Sequence, residues 1–257
     1  MIFWFSGTGN SLWAAQQLSQ LTADGRTVAM AQSLTGGDCH YGVANGETVG
    51  LVFPTYSWGL PPVVDDFIGR LRLDGYTPGG NHCYAVITCG DDVGLTAQIL
   101  RSRLAQAGIS LNAAYSLTMP NNYVCLPGFD TDPSALEAQK LDSARSRIAT
   151  IAQSIAQRRE VVEVTRGSMA WLKSRVINPL FRWALMSPRP FHALPGKCTG
   201  CGKCARVCPL GNVTMSGGHP QWGSRCTMCL ACYHHCPAHA VHYGRATRHK
   251  GQYRCPL

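Results

Sequence analysis

The chain has 257 residues, of which 45% are hydrophobic and 14% are charged. This length and apolar content exclude a disordered chain and allow a full-sized core together with a smaller second unit. The net charge of +9 is unevenly distributed: residues 1–155 carry 8 Lys and Arg against 12 Asp and Glu, whereas residues 156–257 carry 15 against 2. The sequence contains no run of about 18 apolar residues, so no membrane-spanning helix is predicted. Because residues 1–5 lack the basic segment of a secretion signal, a cytoplasmic protein is predicted.

The chain begins with a short apolar strand, residues 1–5, which leads into a glycine-rich loop and then into apolar residues at helical spacing. This order predicts a phosphate-binding loop at a helix N-terminus, because glycines let the backbone curve around an anion while hydroxyl and amide side chains donate hydrogen bonds. The loop is neither a Walker A motif nor a Rossmann fingerprint. A plain strand-to-helix turn is the alternative. The predicted contacts are Ser6, Gly7, Thr8, Gly9, Asn10 and Ser11.

Four further apolar segments predict strands, at 27–31, 47–53, 84–88 and 115–119, and a long amphipathic helix is predicted at about 134–157. Strands alternating with helices predict an α/β fold, a five-stranded doubly wound parallel sheet with its ligand at the carboxyl ends of the strands. Two loops follow the third and fourth predicted strands at that edge. Their candidate ligand contacts are Pro54, Thr55, Tyr56, Ser57, Trp58 and Gly59 in the first loop, and Cys89, Gly90 and Asp91 in the second.

Residues 158–197 form a basic connector with an apolar stripe at helical spacing. Pro179 lies within the stripe and is expected to kink or break the helix. The favoured interpretation is that the stripe packs against both flanking domains. The alternative is a basic amphipathic helix on an anionic membrane surface.

The C-terminal region contains two copies of the spacing C-x2-C-x2-C-x3-C-P, offset by 28 residues. This spacing is typical of bacterial two-cluster ferredoxins, in which the last cysteine of each copy ligates the other copy's cluster. Zinc also binds C-x2-C pairs, but four evenly stepped cysteines, twice, are not a zinc spacing. A hairpin is predicted at 211–222. One 4Fe–4S cluster is assigned to Cys198, Cys201, Cys204 and Cys236, and the other to Cys226, Cys229, Cys232 and Cys208.

Residues 1–157 resemble a flavodoxin. Residues 6–11 match the FMN-phosphate loop, residues 54–62 resemble the loop that places an aromatic ring on the isoalloxazine, and residues 89–94 resemble the second flavin loop. With the cysteine-rich half, the chain resembles the bacterial flavodoxin–ferredoxin fusion family, and the resemblance extends to residues 119–123, Trp222 and residues 251–254.

The resemblance implies FMN bound to a flavodoxin-like domain over residues 1–157, the connector over 158–197, and an α+β ferredoxin domain with two 4Fe–4S clusters over 198–257. The second flavin loop lacks an aromatic residue. We therefore expect Trp58 or Tyr56 to cover one face of the flavin ring and the other face to stay open.

These features predict an iron–sulfur flavoprotein that passes single electrons through two clusters to or from FMN, as an electron-transfer protein. The alternative is an FMN-dependent reductase of a small organic substrate at the open flavin face. The basic second half predicts an acidic redox partner or a small-molecule acceptor, and neither nucleic acid nor a membrane is expected as a partner.

Several residues near these motifs have more than one interpretation. Asp91 and Asp92 either cap the following helix, which is slightly favoured, or contact the ribityl chain. Cys89 is expected to be a packing residue rather than a redox thiol. His234 and His235 are expected to face solvent rather than to tune a cluster, and Asn122 and Tyr123 are candidates for the flavin or substrate site. The sequence assigns no catalytic residue and no direction of electron flow.

Overall fold

The structure, a computed structural model, describes residues 1–23 and 25–256. In its N-terminal part, strands and helices alternate, as the sequence predicts. The long helix predicted at 134–157 is confirmed, and it ends one residue earlier than expected. The elements are β1 (Ile2–Trp4), α1 (Asn10–Leu21), β2 (Thr27–Ala29), α2 (Met30–Gly36), β3 (His40–Gly42), β4 (Thr48–Pro54), α3 (Pro62–Arg70), β5 (Arg72–Asp74), β6 (His82–Cys89), α4 (Thr96–Gln106), β7 (Leu111–Thr118), α5 (Ser134–Ala156) and β8 (Val162–Glu163).

The central sheet is parallel, and among the described residues it has the order β2-β1-β4-β6-β7-β8. The five predicted strands lie in the order 2-1-3-4-5, which is the flavodoxin-like arrangement. The predicted strand number is one too low, because β8 joins the sheet beside β7. This strand has two exposed residues and no apolar pattern, so no strand is predicted there from the sequence. The parallel pair of β3 with β5 was also not predicted.

The sheet is covered on both faces because successive strand residues point to opposite sides. On one face, Phe3 and Phe53 pack against α2, α3 and α4, and on the other, Ile2 and Tyr115 pack against α1 and α5. The sheet is therefore doubly wound, and the carboxyl ends of its strands open toward the second half of the chain.

The second half is built from short elements around the cysteine motifs. The hairpin predicted at 211–222 is confirmed, with antiparallel strands that pair from Val213 to Trp222. The elements are α6 (Ala170–Leu172), a π-helical turn (Lys173–Ile177), α7 (Asn178–Ala184), β9 (Phe191–Ala193), α8 (Lys203–Arg206), β10 (Val213–Ser216), β11 (His219–Trp222), α9 (Ala231–His234) and β12 (Val241–Tyr243).

The connector contributes to both parts of the molecule. Its start supplies β8 to the central sheet, and its end supplies β9, which pairs with β12. Between them the helix is not broken at Pro179. A π-helical turn at Lys173–Ile177 leads into α7, and Pro179 lies in the first turn of α7. Ser174 and Asn178 are buried on its inner side, whereas Leu180 and Trp183 are exposed. No helix formed by the described residues has the length and hydropathy to span a bilayer.

Candidate functional site

The predicted phosphate loop lies between β1 and the N-terminus of α1. Gly9 has the left-handed φ of 104°, and its N–H donates to Ser6 Oγ at 3.1 Å. Within the described residues, no acceptor is found for the backbone amides of Thr8, Asn10 and Ser11. Unpaired amides at the N-terminus of a 12-residue helix form a cradle for an anion. The loop therefore fits the phosphate group that the sequence predicts.

The hydroxyl and amide side chains of this loop bind neighbouring loops instead. Thr8 Oγ1 accepts from Asn122 Nδ2 at 2.6 Å, and the Ser11 and Thr88 hydroxyls lie 2.7 Å apart. Asn10 Nδ2 donates to the backbone of the 119–123 segment at 3.1 Å. These bonds fix the shape of the loop, and they leave its amides as the anion-binding groups.

The first predicted flavin loop is a tight turn at the end of β4, where Tyr56 and Gly59 exchange backbone hydrogen bonds of 2.9 and 3.0 Å. Ser57 and Trp58 have φ values of 46° and 62°, so both central residues are left-handed, as in a type I′ turn. Non-glycine residues rarely adopt this conformation unless the surrounding structure holds them there. Before the turn, Pro54 ends β4 and the Thr55 hydroxyl lies 2.8 Å from that of Thr96.

The connector helix holds this turn in place. Ser174 Oγ donates to the Trp58 carbonyl at 2.7 Å, and Asn178 Nδ2 donates to the Tyr56 carbonyl at 2.9 Å. Lys173 Nζ lies 5.0 Å from the centroid of the Trp58 ring. The connector therefore packs against the predicted flavin loops through polar side chains and not through its predicted apolar stripe, because Trp171, Val176 and Leu180 are exposed.

The second predicted flavin loop follows β6. Cys89 is buried, and burial raises the pKa of its thiol to about 12, as expected of a packing residue. Gly90 lies against the Asn121 side chain, and Asp91 is exposed. The next helix, α4, begins only at Thr96 and has no side-chain cap, so the capping role expected of Asp91 and its neighbour is wrong.

Asp92, the neighbour of Asp91, joins the second loop to the connector. It accepts from the Gly94 N–H at 3.2 Å and pairs with Lys173 Nζ at 2.7 Å. Lys173 therefore lies between the two flavin loops, bound to the carboxylate of one and above the Trp58 ring of the other.

The cysteines surround two small cavities. Among the described residues, no group of three or more His, Cys, Asp or Glu side chains converges closely enough for a single metal ion. Each set of four thiols encloses a space instead, which is the arrangement that a cubane with one thiolate on each iron needs. The first cavity is lined by Cys198, Cys201, Cys204 and Cys236, and the second by Cys208, Cys226, Cys229 and Cys232. The structure thus brings together the two sets that the spacing assigned.

The backbone repeats around these cavities with the 28-residue offset of the sequence. Helices α8 and α9 occupy equivalent positions, and each begins after a residue in the left-handed region, Gly202 in the first copy and Leu230 in the second. The amides of Asn212 and Ala240 donate to Cys208 Sγ and Cys236 Sγ, each at 3.2 Å. Backbone amides directed at cysteine sulfurs match the donor set of an iron–sulfur cluster.

The second cavity adjoins the predicted flavin site. The Cys229 carbonyl occupies the space that a Cβ atom at Gly7 would need, so only glycine allows this approach to the phosphate loop. Burial raises the pKa of the Tyr56 hydroxyl well above its usual value, and the nearby Cys229 and Cys226 thiolates raise it further. The second cavity therefore lies beside both the phosphate loop and the first flavin loop.

The C-terminal tail closes this junction. The Tyr253 hydroxyl donates to Asn10 Oδ1 at 2.6 Å, and the Cys255 amide donates to the Thr8 carbonyl at 2.8 Å. His234, in α9, accepts from the Tyr253 amide at 3.0 Å and lies 2.7 Å from the Asn122 carbonyl. The solvent-facing expectation for His234 is wrong, since only 2% of the residue is exposed. These contacts of the tail are not predicted from the sequence, where residues 251–254 enter only through the family resemblance.

The first cavity lies at the surface, next to a basic groove. Cys201 is exposed, and Arg206 Nη1 donates to its carbonyl at 2.9 Å. Lys203, His235 and Arg254 line the same groove, together with one acidic residue, Glu137. No acidic residue follows Glu163 in the sequence. This end of the molecule therefore presents cations around an accessible thiol.

Comparison with protein families gives one match: residues 197–241 match the family model "4Fe-4S dicluster domain". The match includes all eight motif cysteines and supports 4Fe–4S binding by this region. A search of the curated proteins found no match.

Three solved structures are similar to part of the chain. The rubredoxin oxygen:oxidoreductase of Desulfovibrio gigas has 17% identity and a TM-score of 0.34, and the match covers 61% of this chain but only 34% of that one. The Trp repressor binding protein of Bacillus subtilis has 18% identity and a TM-score of 0.35, with 57% and 95% covered. The azoreductase of Bacillus anthracis strain Sterne has 10% identity and a TM-score of 0.34, with 61% and 96% covered.

Proposed function

We propose that the chain is an iron–sulfur flavoprotein that transfers electrons between an acidic redox partner and FMN. One observation carries this proposal: the second cysteine cavity lies against the predicted phosphate loop, where the Cys229 carbonyl meets Gly7. The proposed ligands are the two cysteine sets named above for two 4Fe–4S clusters, and the amides of residues 6–11 with the loops at 54–59 and 89–91 for FMN.

When bound, the clusters exchange single electrons and FMN exchanges one or two. The protein contributes the positions and the surroundings of these sites. The amides of Asn212 and Ala240 stabilise negative charge on the cysteine sulfurs. The tail and the Asn122 side chain hold the phosphate loop against the cluster half. Short separations between redox sites follow from these direct contacts between the two halves.

The basic groove beside the first cavity is the proposed docking site for the partner. Its cations, among them Lys203, Arg206 and Arg254, are complementary to an acidic redox protein, and exposed Cys201 lies within it. Complementary charge steers association and makes its rate depend on ionic strength. The second cavity, in contrast, is covered by the flavin half of the molecule.

Electron transfer is favoured over reduction of a small substrate because other segments of the chain pack against two of the predicted flavin-binding loops. The connector lies over Trp58, and the tail lies over the phosphate loop. A substrate reductase needs a free flavin face at this edge. The expected open face stays a prediction.

The test begins with anaerobic purification of the full chain and measurement of iron, sulfide and FMN. The protein is then reduced, and its reoxidation is followed with an acidic flavodoxin or ferredoxin and with a panel of small acceptors. We expect fast, salt-sensitive reoxidation by the acidic protein and slow reoxidation by the small compounds. Catalytic turnover with a small acceptor alone would favour the reductase, and a chain without iron would overturn the proposal.

Charge reversal locates the docking surface. Lys203→Glu with Arg206→Glu is expected to slow reoxidation by the acidic protein at least tenfold at low salt, and to reduce its dependence on salt. The matched control is Arg248→Glu, an exposed cation outside the groove. Equal effects of the two variants would contradict docking in the groove.

A further inference from the structure

The second cavity contains three buried polar groups that lack partners. Asn212 Nδ2, Trp222 Nε1 and Thr227 Oγ1 have no hydrogen-bond partner within the part of the chain that the structure describes. Asn212 and Thr227 are only 6% and 4% exposed. All three residues line the second cavity. Because unpaired buried donors are costly, a group that accepts hydrogen bonds is expected in the space that they line.

Their surroundings fix the direction of these donors. Asn212 Oδ1 accepts from the Arg225 amide at 2.8 Å, which leaves the NH₂ end of the same side chain without a partner. Trp222 stacks on Phe191 with a centroid distance of 5.7 Å and an interplanar angle of 12°. Trp222 lines the second cavity together with Cys232, so its indole N–H lies in the same enclosed space as the cysteine thiols.

The first cavity lacks this set of donors. The 28-residue offset relates Asn212 to Ala240 and Trp222 to Leu194, and neither counterpart has a polar side chain. The counterpart of Thr227 is Thr199, which is exposed to solvent.

The backbone donors of the two copies are alike, in contrast, because the amides of residues 212 and 240 each donate to a cysteine sulfur at 3.2 Å. The two sites therefore differ in side-chain donors on a common backbone.

We propose that Asn212, Trp222 and Thr227 donate hydrogen bonds to sulfur atoms of the second cluster and raise its reduction potential, so that it receives the electron that enters at the first. This inference rests on the proposed function. Reduction adds one negative charge to the cluster, and donors to its sulfurs stabilise that charge. The electron comes from the reduced acidic partner, which is oxidised by one electron in the same step.

Burial of the second cavity acts in the opposite direction, because excluding water disfavours the more negative state. The same exclusion strengthens each hydrogen bond to that charge. Three donors directed at one site are therefore expected to raise the reduction potential by more than burial lowers it. This arrangement gives electrons a direction, from the exposed cavity in the basic groove to the cavity beside the flavin loops.

The test is a redox titration of the purified holoprotein, followed by electron paramagnetic resonance, with Trp222→Phe and Thr227→Val. Thr227→Val keeps the shape of the side chain and removes only the donor, whereas Trp222→Phe keeps an aromatic ring but removes the donor together with one ring of the indole. We expect the wild type to show two potentials, and each variant to shift the higher one in the negative direction while the lower one stays in place. Thr199→Val, at the counterpart position beside Cys201 of the first set, is the matched control and is expected to leave the higher potential in place.

A second readout separates a hydrogen bond from a packing effect. In the reduced protein, the second cluster is expected to show a coupling to a proton that disappears after exchange into deuterated water and that is absent from Trp222→Phe. Iron content is measured in parallel. Full cluster content with unchanged potentials in both variants would overturn this inference alone, whereas absence of iron from the wild type would overturn the proposed function.

Discussion

The two halves of the molecule achieve a folded state by different means. The N-terminal half has a parallel sheet with an extensive apolar core on each face, and residues such as Phe3, Phe67 and Tyr115 are fully buried. The C-terminal half has strands of three or four residues and helices of three to seven, and its core contains several of the motif cysteines. So few apolar residues around so many thiols indicate that the first half folds on its own core and the second depends on its cofactors.

The largest effect is expected from removing a cluster ligand. Cys232→Ser places a weaker ligand at the start of α9, so the second cluster should be lost and the surrounding elements should unfold. Hydrogen–deuterium exchange is expected to show lost protection over residues 198–256 and retained protection in the central sheet. Cys83→Ala, which truncates a cysteine buried in the first half, is the control and should keep its iron. Retained protection of residues 198–256 in iron-free Cys232→Ser would contradict the dependence of the second half on its clusters.

A substitution that creates a cavity in the first half tests whether this half is stabilised by its own apolar core. Phe67 is fully buried and its ring lies 5.1 Å from that of Phe3. Phe67→Ala should lower the free energy of unfolding of this half by about 3–5 kcal/mol, whereas Phe67→Leu should cost less. Urea titration followed by far-ultraviolet circular dichroism measures both. Iron per folded molecule should stay constant, and iron loss before the sheet unfolds would show that the halves are not independent.

The junction between the halves gives an intermediate effect. Tyr253→Phe removes the donor to Asn10 Oδ1 and leaves a buried acceptor unpaired, which costs about 1–3 kcal/mol. If the phosphate loop binds FMN, part of this cost should appear as weaker binding, on the order of tenfold. Fluorescence titration with FMN measures it. Tyr76→Phe removes a hydroxyl far from the junction and should leave FMN binding unchanged.

The smallest effect concerns pH and the first half only. Burial lowers the pKa of His82, and the charge on Arg158 lowers it further, so the folded protein keeps this imidazole neutral. In the unfolded chain it protonates near pH 6.5. The unfolded state therefore binds more protons below this pH, and stability should fall as the pH decreases from about 6.5, by less than 1.4 kcal/mol per pH unit. Urea titrations at several pH values should show a smaller decline in His82→Gln, and equal slopes would contradict this role.

The sequence predicts what depends on local pattern. Buried parallel strands read as continuous apolar runs, so 47–53 and 84–88 were found within a few residues of their ends. The division of the cysteines into two sets followed from their spacing, and the cavities are lined by the same two sets. Short exposed strands such as β8 carry no such pattern and were missed.

Contacts between segments far apart in the chain could not be predicted in this way. The burial of His234 depends on Asn122 and Tyr253, which are separated from it by 112 and 19 positions. The close approach of Cys229 to Gly7 depends on how the two halves dock. The three donors of the second cavity were also missed, because a sequence does not show whether a polar residue near a cysteine motif has a hydrogen-bond partner in the fold.

The contacts of the phosphate loop with Cys229, Tyr253 and Cys255 have a consequence for the order of assembly in the cell. The loop is translated before several of the groups that support it, and these groups lie in the half that we expect to need iron to fold. Cluster insertion is therefore expected to precede tight flavin retention. Protein produced under iron limitation should contain a folded sheet and little FMN, and later supply of iron and sulfide should restore both cofactors in that sequence.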